Sequence, residues 1–542
     1  LWYSLIPPLV ALVLVILTRR VLLSLGAAIV VGAFIVFQFD VFMVLAGIFQ
    51  TAIGFIFSFD SMESPTFSGV FQAISAGGFH LNTWELYIIL FLLLLGMMAS
   101  LIRFSGGDQA FSRFAAKRIE TKRGALLLPF CLGLLIFIDD YFNTLTVGNV
   151  SRPLTDRYRV SRAKLAYAID STAAPVCVMM PLSSWGAFIM GTMATILAPT
   201  AFSVHSGFEA FLYTIPINFY AIVTLSMLFL VIWFQIDIGS MKQHEKRAQQ
   251  TGELFDPKKG LPAGDDGSTE VVESGRVTQL LYPIIALVMG TSACLFGAGA
   301  IALHEAGMPL TWLGMLEHTD IGLSLFLGGV IGFSVAVVIT MQTRPAWGAF
   351  IEALKKGLAT MVPVIVILLL AWITIEMITR LGTGTYLASL IDGAIDVRLL
   401  PLCIFLLACG LSLATGTSWG TFGMLLPIAG EMALVLDPAM VIPMFAAVLS
   451  GSLFGDHISP ISDSTILSSA GAGSHHIDHV MTQLPYALIS AGIAALSFLV
   501  LGFVGVAASW TVLIVMLGLF VSYHTVLKRR MTENRKLAEK RG

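Results

Sequence analysis

The sequence predicts an all-α polytopic membrane protein of two inverted-topology repeats. Each repeat is expected to have five crossings and one re-entrant hairpin, and one extra C-terminal helix brings the total to about 11 transmembrane helices. Three observations carry that expectation. Of 542 residues, 57% are hydrophobic and 12% charged, with a mean hydropathy of +0.87, whereas a soluble domain has about 25% charged residues. The basic residues gather on one side of the helices that the apolar runs define. A short pattern of Arg, Gly and Ser recurs 277 residues apart. Composition alone excludes a soluble enzyme, a nucleic-acid-binding protein and a single-pass receptor, while the formal charge of -2 hides a strong asymmetry in where the charges lie.

Simple helices are expected at 3–18, 21–37, 84–102, 211–235, 277–303, 321–341, 357–379, 480–506 and 509–527, because apolar runs there approach the roughly 20 residues that a bilayer core requires. Windows 163–198 and 440–472 are too long for one straight span and are interrupted by Asp, Ser and Pro, so each is expected to break in mid-membrane. Windows 124–150 and 399–430 carry a polar cluster at their centres. As full crossings they would set Asp139 and Asp140 in lipid, whereas hairpins with arms of about a dozen residues reach only the midplane. Segment 236–276 mixes charges of both signs with Gly and Pro and reads as a flexible cytoplasmic linker. The chain therefore divides into a first repeat at 1–235, the linker, a second repeat at 277–506, and an extra helix with a basic tail at 507–542.

Charge fixes the orientation. Arg19, Arg20, segments 103–123, 152–164, 236–276 and 342–356, and the tail from Lys528 hold 29 of the 31 Lys and Arg, and the positive-inside rule assigns them to the cytoplasm. Connections 38–83, 199–210, 304–320 and 431–439 then face outward without a Lys or Arg, and only Arg380 and Arg398 break the pattern. The N-terminus is expected outside and the C-terminus in the cytoplasm, and no cleavable signal peptide is recognised.

The repeat is legible in Arg103-Phe-Ser-Gly-Gly107 with Ser112, matched by Arg380-Leu-Gly-Thr-Gly384 with Ser389. At the same offset Tyr141-Phe-Asn-Thr144 falls on Ser418-Trp-Gly-Thr421, each at the centre of its hairpin, and Asp170 and Pro175 recur loosely as Asp456 and Pro460. An odd number of crossings per half inverts the second copy, and inverted repeats with broken helices that meet near the midplane are a transporter signature.

Four polar clusters sit at membrane depth. They are Ile138-Asp-Asp-Tyr-Phe-Asn-Thr144, Asp170-Ser-Thr172 through Ser183-Ser184, Thr415-Gly-Thr-Ser-Trp-Gly-Thr421, and Gly455-Asp-His-Ile-Ser-Pro-Ile-Ser-Asp-Ser-Thr465. A carboxylate at such depth costs about 2.5–3.5 kcal/mol on insertion scales, so it marks a functional site by default. Single Ser and Thr residues have a plainer role as caps of broken helix ends. Asp139, Asp140, Asp170, Asp456 and Asp463 supply five carboxylates, and no Lys or Arg lies in any cluster. The expected ligand is therefore a cation, and hydroxyl, amide and carbonyl oxygens suit a small alkali ion. One carboxylate that holds either Na+ or H+ is the least machinery that cation/proton exchange needs. Of the adjacent pair, Asp140 is favoured over Asp139, because it is closer to Asn143 and Thr144 at the expected hairpin tip.

Other features read more simply. Cys131, Cys177, Cys294, Cys403 and Cys409 lie in apolar runs without metal-ligand spacing and read as small core residues. Glu376 is one turn before Arg380 and reads as its partner. His457 reads as a hydrogen-bonded packing residue, and His475-His-Ile-Asp-His479 reads as a solvated turn rather than a pH sensor. The sequon Asn149-Val-Ser151 falls on the cytoplasmic side. Gly328 and Gly332 form a GxxxG pair that lets two helices pack closely.

Phe137-Ile-Asp-Asp-Tyr-Phe-Asn-Thr-Leu-Thr-Val-Gly148, Ala168-Ile-Asp-Ser-Thr-Ala-Ala-Pro175, Ala414-Thr-Gly-Thr-Ser-Trp-Gly-Thr421 and Phe454-Gly-Asp-His-Ile-Ser-Pro-Ile-Ser-Asp-Ser-Thr465 resemble the signature segments of NhaC-type sodium/proton antiporters, and the likeness spans roughly 5–506. The resemblance implies a prokaryotic inner-membrane secondary transporter, with elevator-type relatives, and it allows a homodimer. It nominates Asp140, Asn143, Thr144, Asp170, Thr417, Ser418, Asp456, Ser459 and Asp463. The depth reading adds Ser171, Thr172, Thr421, Ser464 and Thr465 as cation- and proton-binding candidates. Na+ is expected at Asp140, Asn143, Asp170, Asp456 and Asp463. The implied activity is export of Na+, with Li+ as a further cation, in exchange for H+, without a cofactor. Some relatives in this superfamily exchange malate and lactate and others carry amino acids, so a coupled carrier of a small organic solute is the alternative. An intramembrane aspartyl protease would need Gly-x-Gly-Asp, which Ser452-Leu-Phe-Gly-Asp456 does not supply. An open channel fits two opposed hairpins poorly.

Overall fold

Membrane depth offers no water to backbone N–H and C=O groups, and this chain satisfies them almost wholly within helices. The computed structural model describes the chain apart from residues 1, 19, 56, 60–78, 199–205, 263–274, 312, 313, 316, 317, 384, 385, 387, 388, 391–394 and 540–542. Parts of the outward connections 38–83, 199–210 and 304–320, and Gly384 of the repeat pattern, thus lie outside the described residues. Among the described residues, 10 helices are long and apolar enough to cross a membrane. A small antiparallel pair of strands, β1 (Phe57–Phe59) and β2 (Phe79–Leu81), is the exception to an otherwise helical architecture.

The chain opens with α1 (Ile6–Thr18), α2 (Val21–Val36), α3 (Val41–Gly54), α4 (Thr83–Phe104) and the short α5 (Gly107–Ala116). Next come α6 (Lys122–Leu135), α7 (Asp140–Arg157), α8 (Arg162–Cys177), α9 (Ser184–Leu197), α10 (Gly207–Thr214) and α11 (Phe219–Phe234). A polar helix, α12 (Gly239–Thr251), leads to α13 (Thr278–Glu305), α14 (Ile321–Met341) and α15 (Trp347–Leu381). The last six are α16 (Leu400–Thr415), α17 (Ser418–Leu436), α18 (Val441–Ile458), α19 (Asp463–Ala472), α20 (His476–Phe503) and α21 (Val506–Glu539).

Local chemistry explains the interruptions that matter. α6 and α7 turn back on each other at 136–139, and their far ends meet where the Tyr158 hydroxyl donates to Ile119 O at 3.0 Å. The turn between α16 and α17 sits on Gly416 at φ +68, where a Cβ would lie 2.8 Å from Ile461 O, so only glycine fits. α8 stops at Cys177, and α9 restarts under Ser183, whose side chain accepts from Gly186 N. α18 stops at Ile458, two residues before Pro460, which cannot donate to a continuing helix. α19 restarts under Ser462, which accepts from Thr465 N.

Small residues bring these pieces close. A Cβ on Gly451 or Gly455 of α18 would lie 2.3 Å from Phe405 O or 2.5 Å from Cys409 O on α16, the small-xxx-small device of membrane helices. Gly148 of α7 meets Gly471 of α19 in the same way. Away from the breaks, Gly96 and Gly357 join α4 to α15, and Ser100 donates to Ala353 O at 2.7 Å. Gly328 and Gly332 press on Thr291 and Leu287, so the GxxxG pair packs α14 on α13.

The structure differs from the sequence reading in the course of several helices. The expected helix 211–235 is interrupted by a 3-10 turn at Ile215–Ile217, because Pro216 lacks the donor. The helix expected at 357–379 begins ten residues earlier, at Trp347. The linker read as flexible carries α12, which buries Met241, Glu245 and Ala248 at helical spacing.

Basic segments converge on one end of the molecule. Lys122 pairs with Glu245 at 2.6 Å, Lys164 with Asp237 at 2.6 Å and Lys259 with Asp478 at 2.5 Å, and Arg113 donates to Gly275 O at 3.4 Å. The two arginines that break the charge pattern are each neutralised locally. Arg380 pairs with Glu376 at 2.6 Å, and Arg398 with Asp396 at 2.6 Å. Hydrogen bonds from Arg398 hold the exposed Asp396 carboxyl at about 2.

Candidate functional site

The two helix breaks and the two helical turns bring the buried carboxylates together. Asp170 lies in the interior of α8 and is fully buried. Its Oδ1 accepts from Ser468 at 3.1 Å, and its Oδ2 accepts from Thr465 at 3.2 Å and from Gln483 Nε2 at 2.7 Å. His479 Nε2 stands 3.7 Å from the same oxygen. Gln483 also donates to His457 O at 2.8 Å, which ties α20 to the end of α18.

Asp456 is two residues before the end of α18 and is 2% exposed. Its Oδ2 accepts from Ser418 at 3.0 Å and from Ser464 at 3.3 Å, so the start of α17 and the start of α19 both reach it. Its Oδ1 is buried and has no hydrogen-bond partner. Thr465 Oγ1, which donates to Asp170, also stands 3.4 Å from Asp456 O, so the surroundings of the two carboxylates adjoin.

The turn after α6 docks on the start of α9. Asp139 caps α7 by accepting from Phe142 N at 3.1 Å, and it also accepts from Ser184 at 2.8 Å. Asp140 accepts from Trp185 Nε1 at 3.0 Å. Both carboxylates are buried, and each has its own donor. Asn143 Nδ2 pins the turn by donating to Gly133 O at 2.9 Å and Ile136 O at 2.7 Å, while its Oδ1 has no partner. The tip is therefore at 136–139, one turn earlier than Asn143 and Thr144. Tyr141 donates to Asp463 Oδ2, joining α7 to α19. Trp185 and Trp419 meet at 5.1 Å between ring centroids, so the starts of α9 and α17 touch.

The family model for the Na+/H+ antiporter family matches residues 176–503, more than half of the chain. The chain belongs to the Na+/H+ antiporter family. A Haemophilus influenzae protein described as uncharacterized is 38% identical over 502 residues, 92% of this chain and 91% of that one. The malate-2H+/Na+-lactate antiporter of Bacillus subtilis is 30% identical over 191 residues, 34% of this chain and 38% of its own. The Na+/H+ antiporter NhaC of Alkalihalophilus pseudofirmus is 30% identical over 176 residues, 32% of this chain and 37% of its own. In fold, the chain resembles the YdaH transporter of Alcanivorax borkumensis, with a TM-score of 0.53 at 13% identity over 87% of this chain and 98% of that one. This antiporter-family protein is a multi-pass membrane transporter whose named relatives are transporters rather than enzymes.

Not every nominated residue of the antiporter-family site reaches a carboxylate. Thr144, Thr172, Thr421 and Ser459 spend their hydroxyls on backbone carbonyls, at Tyr141, Ala168, Thr417 and Leu413. Thr417 is the N-cap position of α17 without a side-chain cap bond, and Ser171 Oγ is buried without a partner. Among the described residues, no three His, Cys, Asp or Glu side chains converge as a metal-ligating group. The five residues nominated for Na+ therefore do not form one shell of carboxylates, and a cation here would draw on hydroxyl and carbonyl oxygens as well.

The antiporter family's signature segments also left residues unnoticed. His479, read as part of a solvated turn, is fully buried beside Asp170, within 2.9 Å of Ser469 and 3.0 Å of Gln483. Its ring projects from α20 toward Ser469 and Asp170, and His476, His479, Gln483 and Tyr486 fall on one face of that helix at three- and four-residue spacing. That polar stripe on an otherwise apolar helix is a signal the sequence carries.

Proposed function

We propose that this protein exchanges Na+, with Li+ as a further cation, for H+ across the prokaryotic cytoplasmic membrane by alternating access. The observation that carries the reading is Asp456, a buried carboxylate with one oxygen held by two serines and the other without a partner. A buried charge left unpaired is strongly unfavourable, so the position calls for a proton or a cation. One carboxylate cannot hold both, and that competition couples inward H+ to outward Na+. The polar clusters around it contain no Lys or Arg, which favours a cationic ligand.

The motion proposed is elevator-like. α6 to α9 with α16 to α19 would move as one body, because close glycine contacts and side-chain bonds to the carboxylates tie them together. α4, α13, α14 and α15 would form the scaffold. The two halves would be inverted copies, in keeping with the 277-residue offset of their Arg-Gly-Ser patterns.

A coupled carrier of a small organic acid is the second reading, favoured by the likeness to an antiporter whose name gives malate and lactate. Inside-out vesicles from cells lacking other antiporters separate the two readings. Energised vesicles whose quenched dye recovers on addition of Na+, and no longer recovers with Asp456→Asn, support Na+/H+ exchange. A dye signal that responds to malate or lactate and ignores Na+ overturns it.

A further inference from the structure

Two copies of one short motif begin two helices of the site. Ser184-Trp-Gly-Ala-Phe-Ile-Met190 opens α9 and Ser418-Trp-Gly-Thr-Phe-Gly-Met424 opens α17, 234 residues apart and identical at five of seven positions. Their rings pack reciprocally. Between ring centroids, Trp185 stands 5.4 Å from Phe422, Phe188 stands 5.2 Å from Trp419, and the two tryptophans meet at 5.1 Å. Like side chains thus have like neighbours, so a difference between the copies carries information.

The serines behave alike. Ser184 donates to Asp139 Oδ2 at 2.8 Å, and Ser418 donates to Asp456 Oδ2 at 3.0 Å. The indoles do not. Trp185 Nε1 donates to Asp140 Oδ1 at 3.0 Å, whereas Trp419, 4% exposed, has an Nε1 without a partner. An indole N–H can only donate, and a buried donor left unmet is costly. Among the described residues, Asp456 Oδ1 is the one carboxylate oxygen that is buried without a partner. The unmet donor and the unmet acceptor are each one step from Ser418, the first along the chain and the second across a hydrogen bond.

We propose that Trp419 determines how tightly the site holds its cation. Its indole N–H closes on Asp456 Oδ1 when no cation is there, as that of Trp185 closes on Asp140, and a bound Na+ takes its place. The inference rests on the Na+/H+ exchange reading. Donor and cation compete for the same oxygen, so the strength of the indole bond is subtracted from the affinity for the ion. The chemistry of the donor suits that role. A neutral N–H keeps an ionised carboxylate from standing bare in a site shut off from water, and it yields to a cation. A Lys or Arg in the same place would form a charge-assisted bond that is harder to displace.

Trp419→Phe tests this, because it keeps an aromatic ring against Trp185 and Phe188 and removes the N–H. In thermal-shift titrations of the full-length protein with NaCl, at an ionic strength held by choline chloride, the half-saturating Na+ concentration is expected to fall by about 5- to 30-fold. The melting temperature is expected to fall in Na+-free buffer, where the indole bond is lost, and to hold at saturating Na+. A role in packing alone would lower both melting temperatures and leave the half-saturating concentration where it was, and that result overturns the inference. The ultraviolet Raman band of indole that reports hydrogen bonding at its N–H gives a second readout. Na+ is expected to weaken one indole hydrogen bond in the unaltered protein and none in Trp419→Phe. Absence of that change in the unaltered protein overturns the inference even if the variant fails to fold. An unaltered protein whose melting temperature and vesicle dye signal both ignore Na+ overturns the exchange reading itself, which a failure at Trp419 alone does not.

Discussion

Asp170 and Asp456 are both buried, yet the protein completes one and leaves the other open. Asp170 receives Ser468, Thr465 and Gln483, so both of its oxygens are satisfied. Asp456 receives Ser418 and Ser464 on one oxygen and nothing on the other. The donors differ because their elements differ. Asp170 sits in mid-helix, where α19 and α20 press fixed side chains on it, while Asp456 sits at a helix end, beside freed carbonyls. A buried carboxylate saturated with protein donors organises its surroundings, and one left half-bonded is poised for a ligand. A third buried carboxylate, Glu245, extends the scale, since it accepts from Ser161 N at 2.8 Å, Ser161 Oγ at 2.7 Å and Lys122 at 2.6 Å.

The sharpest way to break this contrast is to neutralise the open member. Asp456→Asn is expected to lower Na+ affinity by about 30- to 150-fold, the loss of a charge-assisted contact of about 2–3 kcal/mol. Its melting temperature in Na+-free buffer is expected to stay level or rise, because an unpaired charge has been removed. Thermal shift titrated with NaCl reads both quantities. A large loss of melting temperature without Na+ would mean that Asp456 is structural, and the contrast would collapse.

Glu245→Gln comes next and should do the reverse. It leaves Lys122 without its partner and is expected to cost about 2 kcal/mol of stability, measured by thermal unfolding in detergent, with the Na+ dependence of transport unchanged. A changed Na+ dependence would couple the basic end to the ion site. Gln483→Leu is expected to cost about 1–2 kcal/mol, because it removes one donor from Asp170 and the partner of His479 together. If it instead altered Na+ affinity and spared stability, Asp170 would belong with Asp456.

Much of this was visible in the chain. Membrane class followed from composition, the family from the likeness of four short segments, and the candidate site from Asp, Asn and Ser at membrane depth, which are too costly to occur there without a use. Pro460 and the Ser-Asp pair after it announce the end of α18, since proline withholds the donor a continuing helix needs. α12 stayed hidden because only three of its residues are buried, and their spacing is masked by a run of Lys, His, Arg and Gln. The tip of the first hairpin was misplaced by a turn, because nothing in Asp139-Asp140 distinguishes a cap from the first helical residue. His479 and Gln483 were overlooked for a different reason. Their spacing was readable, but Asp170, which they face, lies 313 residues from Gln483 in the chain.

The smallest predicted effect tests the contrast at its finest grain. Ser418→Ala removes one of the two donors to Asp456 Oδ2 and leaves Ser464 in place. One neutral-to-charged hydrogen bond is worth about 1–2 kcal/mol, so Na+ affinity is expected to shift by about 5- to 30-fold. The direction discriminates between two roles for the serine. If its hydroxyl orients the carboxylate toward a cation on Oδ1, the half-saturating Na+ concentration rises while the maximal rate holds. If the hydroxyl instead competes with the cation for the carboxylate's charge, removing it lowers the half-saturating concentration. The first outcome is expected, because Ser418 also donates to Ser452 O at 3.2 Å. That shared bond anchors the hydroxyl between α17 and α18, where it fixes the carboxylate's rotation and leaves Oδ1 without a partner.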